Sequence, residues 1–404
     1  MRQVPEPIEI AKKLLAYCCS QDWAGYDPYD ALNSKIVESL PILQKRIPSL
    51  VLTQLLKRSP INFRWLLSIP KTRNPKGHAL FLSSLVRNAQ LASDLSEDMV
   101  DDLLEQLLAL RSSDTPYWCW GYSFPWRGRN MIVRRFEPNL VCTNFGATAI
   151  LDLYEKRRDS ELLNIAVSSV QFILNELYWT GEGQVAGFSY PLASLQNQVH
   201  NANLLASALL CRVYTLTGDS SFLEPALKVA RYSASMQRED GSWPYGEAKP
   251  QAWVDNFHTG YNLCALRAIG RLLQTDEFDH CVAKGFEFYR SHFFREDGAP
   301  RYFHNRTYPI DVHCVAQSIL TLLDFSDGDD ECMRLAKRVY EWSVDHMWDD
   351  RGFFYYRVLH LGRIRTPYMR WSEAWMVRAL AELARAQQPD RKTASRSDRM
   401  VTAR

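Results

Sequence analysis

The sequence predicts an all-α fold in which six helical hairpins close into a ring, an (α/α)6 toroid. Apolar residues at helical spacing recur in stretches that begin roughly 55 to 65 residues apart, which is the signature of a repeat architecture. A second amphipathic helix lies between consecutive members of this series. The connections that return to the first series are long and rich in Gly, Trp and Tyr. Together these features favour one ring with short β-excursions in the loops on one face.

The first helix of each hairpin is apolar nearly all round, with small residues and polar tips. This pattern is typical of inner helices that are covered on every side. The six stretches begin near Lys76, Asn139, His200, Asp255, Asp311 and Met369.

The second helix of each hairpin carries more charge on one side, as expected of an outer layer that faces water. Five such helices are predicted over residues 99–111, 161–177, 220–237, 278–292 and 331–347. The sixth hairpin lacks a partner within this series. We expect the N-terminal helix over residues 8–20 to supply it, because terminal hairpins of a repeat protein must cover their apolar faces.

The domain prediction is one toroid over residues 1–386, with a less regular segment at 21–60. Residues 387–404 are polar and basic, and we expect this tail to be disordered.

Composition narrows the function classes. Of 404 residues, 46% are hydrophobic, and 48 basic residues oppose 46 acidic ones for a net charge of +2. Nothing in that balance indicates binding to nucleic acid. The nine cysteines are scattered without a regular framework, which favours reduced side chains and a cytoplasmic protein. No signal peptide and no apolar run of membrane-spanning length is recognised, so no membrane insertion is expected. The oligomeric state is left open.

Ring closure would bring the first turns of the inner helices to one shared cavity. Ionisable side chains recur at these positions, and they are the candidate catalytic residues: Asp255, Asp311, Glu373, His258 and His313. Asp is also a preferred helix N-cap, so each aspartate alone could simply bond backbone N–H groups. Three histidines at matching positions of successive repeats, at 200, 258 and 313, point to function.

Amide, cationic and aromatic side chains near the same turns are predicted to bind substrate. Aromatic rings stack on the apolar faces of sugars, while polar side chains bond the hydroxyl groups. The predicted binding residues are His200, Asn201, Asn203, Asn256, Tyr261, Trp120, Trp126, Trp243, Tyr245, Arg370, Trp371 and Trp375. An oligosaccharide or polysaccharide is therefore the expected substrate.

The residues leave three kinds of function open. The leading hypothesis is hydrolysis of a glycosidic bond. This reaction needs two carboxyl groups, for which Asp255, Asp311 and Glu373 are the candidates. Epimerase or lyase chemistry needs a base next to a carbon acid, a role that suits His258 and His313. The third possibility is a glycan-binding or scaffold protein without catalysis. No metal-ligand spacing is present, and no metal or cofactor is predicted.

Four motifs carry a family resemblance that covers nearly the whole chain: DWAGYDPYDALNS at 22–34, HNANLL at 200–205, REDGSWPYGE at 238–247 and WVDNFHTGYNL at 253–263. The chain resembles the six-hairpin glycosidase-like superfamily, which includes unsaturated glucuronyl hydrolases, endoglucanases and N-acylglucosamine 2-epimerases. The motifs resemble a bacterial group encoded near polysaccharide biosynthesis genes, whose members are often mislabelled δ-aminolevulinic acid dehydratases. This resemblance implies a role in exopolysaccharide or lipopolysaccharide metabolism.

Two other resemblances are disfavoured. The stretch QREDGSW at 237–243 is similar to the QW repeat of triterpene cyclases, but it occurs once and the acidic DxDD motif is absent. A true porphyrin-pathway dehydratase would have strand–helix alternation and a Schiff-base lysine, neither of which the sequence shows.

Overall fold

The computed structural model describes residues 4–92, 97–128 and 131–388. Within these ranges the chain forms mainly α-helices. They are α1 (Pro7–Ser20), α2 (Lys35–Ser39), α3 (Pro41–Gln44), α4 (Arg46–Arg58), α5 (Pro75–Arg87), α6 (Ala89–Ala92), α7 (Glu97–Ala109), α8 (Leu140–Arg157), α9 (Ser160–Phe172), α10 (His200–Thr217), α11 (Leu223–Ser235), α12 (Asn256–Leu273), α13 (Asp279–His292), α14 (Val312–Asp324), α15 (Asp330–Met347) and α16 (Ala374–Ala386). A π-helical turn, Met369–Glu373, leads into α16.

The inner ring consists of α5, α8, α10, α12, α14 and α16, each packed on the next. The ring closes where α16 meets α5. There the Nδ2 atom of Asn88 donates to the carbonyl of Ala381 at 2.7 Å, and the Nε atom of Arg87 lies 2.9 Å from Oε1 of Glu382. These bonds join residues nearly 300 positions apart in the chain. The predicted (α/α)6 toroid is thus confirmed.

The outer layer consists of α7, α9, α11, α13 and α15, with α1 as the sixth member. Helix α1 packs on α16 and buries Ile10 and Leu14. Its start is tied to α15, because the hydroxyl of Tyr340 donates to the carbonyl of Pro5 at 2.6 Å. The N-terminal helix therefore completes the last hairpin, as the sequence predicts.

Short antiparallel strands occupy the loops, also as predicted. They are β1 (Ala24–Gly25), β2 (Thr72–Arg73), β3 (Trp126–Arg127), β4 (Ile132–Val133), β5 (Tyr178–Thr180), β6 (Ala186–Phe188), β7 (Ile310–Asp311), β8 (Trp348–Asp349), β9 (Phe353–Phe354), β10 (Arg357–Val358) and β11 (Arg363–Ile364). Four of the sheets are two-stranded, and β10 lies between β11 and β7 in the fifth. The register of β7 and β10 sets Arg357 opposite Asp311.

The segment at 21–60, which the sequence predicts to be less regular, contains the helices α2, α3 and α4. Helix α4 buries Ser49, Thr53 and Leu56, whereas Ile47, Val51 and Leu55 face outward. Apolar side chains therefore lie on both faces, so the helix lacks the single apolar stripe by which an amphipathic helix is recognised in a sequence. In the tail, residues 387 and 388 are described, and the predicted disorder of 389–404 lies outside the described residues.

Candidate functional site

A cavity of about 470 Å³ opens at the end of the ring where the inner helices begin. All six inner helices contribute to its wall through residues at or beside their first turns: Lys76, Val141, Asn201, Phe257, His258, Tyr261, His313, Arg370 and Trp371. Loops and the N-terminal segment supply the remainder: Tyr29, Lys57, Tyr122, Phe124, Trp126, Met131, Tyr190, Pro191, Asn197, Val199, Tyr245, Gln251, Trp253, Tyr302 and Phe303. The shared mouth that the sequence predicts is present.

His258 lies in the first turn of α12 and faces this cavity, with 19% of its side chain exposed. The fully buried carboxylate of Asp255 lies behind it and caps the same helix. Oδ1 of Asp255 accepts from the backbone N–H of His258 at 3.0 Å, and Oδ2 lies 2.7 Å from Nδ1 of the ring. This contact holds the proton on Nδ1 and leaves Nε2 as the basic ring nitrogen available to a ligand.

His313 lies in the first turn of α14, two residues after the cap Asp311, and is almost completely buried. Its Nε2 atom is 2.6 Å from the hydroxyl of Tyr261, which also lines the cavity. Burial, with the cations of Lys76 and Arg370 as smaller causes, lowers the pKa of His313 well below its usual value. His313 is therefore a neutral imidazole that shares one hydrogen bond with the hydroxyl of Tyr261.

The aromatic ring of Phe257 lies beside both histidines. Its centroid is 4.1 Å from that of His258 and 4.6 Å from that of His313. The two imidazoles are thus parts of one wall, held by adjacent inner helices.

Three cationic side chains line the same cavity. The guanidinium of Arg370 is paired with Asp27 at 2.6 Å, and both groups are buried. The ammonium of Lys57 is 2.5 Å from the hydroxyl of Tyr29. Burial, and to a smaller extent Arg370, lowers the pKa of Lys76 to about 7. Among the described residues that line the cavity there is no Asp or Glu, so its wall carries basic groups without a directly facing carboxylate.

Aromatic side chains form much of the remaining wall. Tyr245 and Trp253 stack in parallel with ring centroids 4.6 Å apart, and Trp253 is 39% exposed at the rim. Trp371 is held in place because its Nε1 atom donates to Oδ1 of Asp311 at 2.9 Å. Flat rings beside polar groups are suited to a sugar.

The three predicted catalytic carboxylates do not share the cavity surface. Asp255 and Asp311 lie one layer behind it, each capping an inner helix. Oδ2 of Asp311 is 2.6 Å from Nε of Arg357, so this carboxylate is neutralised by an ion pair. Each aspartate thus caps a helix and also bonds a side chain of the cavity wall, which is His258 for Asp255 and Trp371 for Asp311.

Glu373 lies at a different place, a small cavity of about 160 Å³ beside α1 that Tyr17 and Lys71 also line. Its Oε2 atom accepts from the backbone N–H of Phe354 at 3.0 Å, and Oε1 has no hydrogen-bond partner among the described residues. Burial raises the pKa of this carboxyl well above its usual value. Glu373 therefore lies outside the histidine wall.

Six of the predicted binding residues line the large cavity: Asn201, Tyr261, Trp126, Tyr245, Arg370 and Trp371. The other six lie outside its wall: His200, Asn203, Asn256, Trp120, Trp243 and Trp375.

The six residues outside the wall are buried and contribute to the packing of the protein. Asn203 accepts from the backbone N–H of Phe188 at 2.9 Å, and Asn256 donates to Ser318 at 3.1 Å. Trp120 and Trp243 donate to backbone carbonyls, at 2.8 and 3.1 Å.

His200 and Trp375 are buried as well. Burial lowers the pKa of His200 to about 4, so it is a neutral core residue. The Trp375 ring packs against His313 with centroids 4.6 Å apart, which places it directly behind the cavity wall.

Sequence reasoning missed two cations of the wall, Lys76 and Lys57, and also Asp27, the buried partner of Arg370. Lys76 had a signal: a cation in the first turn of an apolar helix opposes the helix dipole and calls for an explanation. Asp27 had only its place in the DWAGYDPYDALNS motif, and Lys57 had no signal, since only the tertiary structure brings the N-terminal segment over the ring.

The described residues contain no cluster of three or more His, Cys, Asp or Glu side chains that could hold a metal ion. Likewise, none of the described helices combines the length and the apolar character that crossing a bilayer requires.

Neither the protein-family profiles nor the curated protein sequences contain a match to this chain. Solved structures do match. A family 76 glycoside hydrolase from a bovine Bacteroides thetaiotaomicron strain is 11% identical, with a TM-score of 0.65 over 95% of this chain and 78% of that one. Cellobiose 2-epimerase from Bacillus thermoamylovorans is 12% identical, with a TM-score of 0.60 over 78% and 90%.

A third structure, a protein from Listeria innocua, is 14% identical, with a TM-score of 0.62 over 94% of this chain and 97% of that one. The TM-scores establish a shared fold. Because the identities are low, the activity must be argued from the site. The chain therefore shares the six-hairpin (α/α)6 toroid fold of these proteins.

Proposed function

We propose that this protein is a carbohydrate-active enzyme that moves a proton to and from a carbon atom of a sugar, as a sugar epimerase does. The observation that carries the proposal is the cavity wall, where His258 is backed by Asp255 and a second imidazole, His313, is bonded to Tyr261. Structures of a sugar epimerase and of cellobiose 2-epimerases share the fold.

The residues suggest a division of roles. Nε2 of His258 takes a proton from the sugar carbon next to the carbonyl, and the electron pair of that C–H bond moves onto the carbonyl oxygen. Lys76, whose pKa of about 7 keeps it partly protonated near neutrality, would stabilise the negative oxygen. Tyr261, bonded to His313, would give its hydroxyl proton to the other face of the carbon and reform the carbonyl. The proton on His258 then returns through solvent to the tyrosinate, which restores both groups.

Hydrolysis receives less support from the site. Glycosidic cleavage requires two carboxyl groups with direct access to the bond, one to protonate the leaving oxygen and one to act on water or carbon. Asp255 and Asp311 are both less than 3% exposed and engaged behind the wall, and Glu373 lines another cavity. Family 76 hydrolases share the fold, so the experiment must distinguish the two reactions.

The cellular setting belongs to the same proposal. All nine cysteines lie within the described residues and none forms a disulfide, which supports a reducing compartment such as the cytoplasm. Substrates from polysaccharide biosynthesis are the ones that the sequence motifs favour.

The test is incubation of the complete chain with reducing sugars and oligosaccharides in deuterated water, followed by NMR of the recovered sugars. Epimerase chemistry predicts deuterium at the carbon next to the carbonyl and a second epimer. The His258→Gln variant should lose this exchange by about a hundredfold or more. New reducing ends without carbon-bound deuterium would instead assign hydrolysis, and binding without any reaction would assign a glycan-binding protein.

A further inference from the structure

Exposed apolar side chains are concentrated in one part of the molecule. Ten of the thirteen large apolar residues that are exposed in the described chain fall between positions 36 and 66. They are Ile36, Leu40, Ile42, Ile47, Val51, Leu55, Ile61, Phe63, Trp65 and Leu66. Scattered exposed apolar residues are ordinary, but such a concentration in one segment of the chain is typical of an interaction surface.

Helix α4 shows that this surface is built into the structure. Ile47, Val51 and Leu55 repeat at every fourth position and form a stripe that faces away from the protein, with Ile47 73% exposed. The opposite face is packed on the molecule through Ser49 and Thr53, whose hydroxyls are satisfied by backbone carbonyls at 2.8 Å. The inward face also buries Leu56, so apolar residues lie on both faces of this helix, and the outward stripe is exposed and available to a partner.

Charge identifies the kind of partner. Between positions 35 and 71 the chain has seven Lys and Arg residues and a single acidic residue, Glu38, although the whole chain carries a net charge of only +2. Of these cations, Lys35, Lys45 and Arg58 are exposed in the same segment as the apolar residues, whereas Arg64 is buried against Asp30 and Lys57 lines the cavity. A second copy of the chain would set the exposed cations against each other across a two-fold contact, which disfavours self-association through this face.

We propose that α2, α3, α4 and the loop through Trp65 form a peripheral docking surface for an anionic lipid bilayer. Apolar residues that enter the interface and basic residues that meet lipid phosphates are the two components of such binding. Trp65, which is 72% exposed, has the amphipathic ring that favours the level of the lipid headgroups. The surface lies on the membrane and does not cross it.

Docking would also place the cavity close to the membrane surface. Helix α4 supplies Lys57 to the cavity wall beside Tyr29, and Arg127 of β3 donates to the carbonyl of Gln44 at 3.0 Å. The cavity mouth therefore shares its elements with the docking surface. If the proposed function holds, on which this step rests, the substrates are glycans presented at a membrane, such as sugars carried on a lipid.

The test measures sedimentation of the complete chain with vesicles in the absence of any sugar. One set is pure phosphatidylcholine and the other contains phosphatidylglycerol. We expect binding to the anionic vesicles alone, weakening as salt rises. The Ile47→Ser/Val51→Ser/Leu55→Ser variant and the Lys45→Glu/Arg58→Glu variant should each bind about tenfold or more weakly. The matched controls are Leu361→Ser, at an 85% exposed site elsewhere, and Lys156→Glu.

Unchanged binding of both multiple variants would overturn the proposal, as would the absence of binding to anionic vesicles at low salt. Self-association that the serine variant abolishes, without vesicle binding, would assign the face to a second copy and also overturn it. Circular dichroism establishes that each variant is folded. Because no sugar is present, loss of the proposed activity, as in His258→Gln, should leave vesicle binding unchanged.

Discussion

Oδ2 of Asp255 lies 2.7 Å from Nδ1 of His258, while Oδ1 of the same carboxylate caps the helix on which His258 stands. The carboxylate is completely buried, and Nε1 of Trp253 donates to the same Oδ2 atom at 2.8 Å. One side chain thus fixes the start of α12, the rotation of the imidazole and the location of its proton. A cap and a positioning residue are here the same group.

Replacing Asp255 by Asn separates these roles. The amide oxygen still accepts from the backbone N–H, so the helix cap persists and the midpoint of thermal unfolding should fall by only about 2–4 °C. The amide NH₂ group now faces Nδ1 and favours the opposite tautomer, and it no longer accepts the hydrogen bond from Trp253. We expect kcat for proton exchange to fall by about a hundredfold or more. Turnover within threefold of the unaltered enzyme would contradict the role given to Asp255.

Two tryptophans allow binding and stability to be distinguished. Trp253 is 39% exposed and stacks on Tyr245 at the cavity, whereas Trp243 is 1% exposed in the core. Trp253→Ala should raise KM by about threefold to tenfold, since aromatic contacts contribute about 0.5–1.5 kcal/mol. Trp243→Ala should instead lower the free energy of unfolding by about 3–5 kcal/mol. Steady-state kinetics and urea unfolding measure the two effects, and the reverse pattern would refute the assignment.

Glu373→Gln should change the pH dependence of stability. Burial raises the pKa of Glu373 in the folded state well above the 4.5 of a freely exposed glutamate. Above pH 4.5 the folded state therefore holds a proton that the unfolded chain releases, and stability falls as pH rises toward the folded pKa. The glutamine side chain holds no such proton, so the variant should unfold at a higher temperature than the parent at pH 8 and at a similar one at pH 4.

The exposed Glu296→Gln substitution is the control for this prediction and should leave the pH profile unchanged. A large loss of turnover in Glu373→Gln at unchanged stability would instead return Glu373 to the reaction.

Replacing Arg357 tests how much its buried ion pair with Asp311, behind the cavity wall, contributes to stability. Its Nε atom pairs with Asp311 at 2.6 Å, and 10% of the arginine side chain is exposed. Arg357→Met leaves a buried carboxylate without its cation, which should cost about 3–5 kcal/mol. Adding Asp311→Asn should recover part of that loss, because the uncompensated charge is then removed.

The matched control for Arg357 is Arg351→Met. Arg351 pairs with Asp349 while 72% of its own side chain is exposed, so its loss should cost less than about 1 kcal/mol. Equal costs for the two arginines, measured by urea unfolding, would be inconsistent with the buried pair.

The sequence alone determined the architecture. Helical periodicity, the recurrence of hairpins and the difference between apolar and charged helices predict the ring, because each reflects burial that the chain encodes locally. The same pattern predicts that the inner helices start at one mouth, where His258, His313, Tyr261 and Arg370 do lie.

Tertiary structure decided which polar groups reach the cavity surface. Asp255, Asp311 and Glu373 occupy similar repeat positions, yet two lie behind the wall and one lines another cavity. A helical position specifies a direction only to within a turn, and a rotation of one residue moves a side chain from the surface to the layer behind it. The outward stripe of α4 and the placement of Lys57 likewise depend on packing between segments far apart in the chain, which local sequence does not encode.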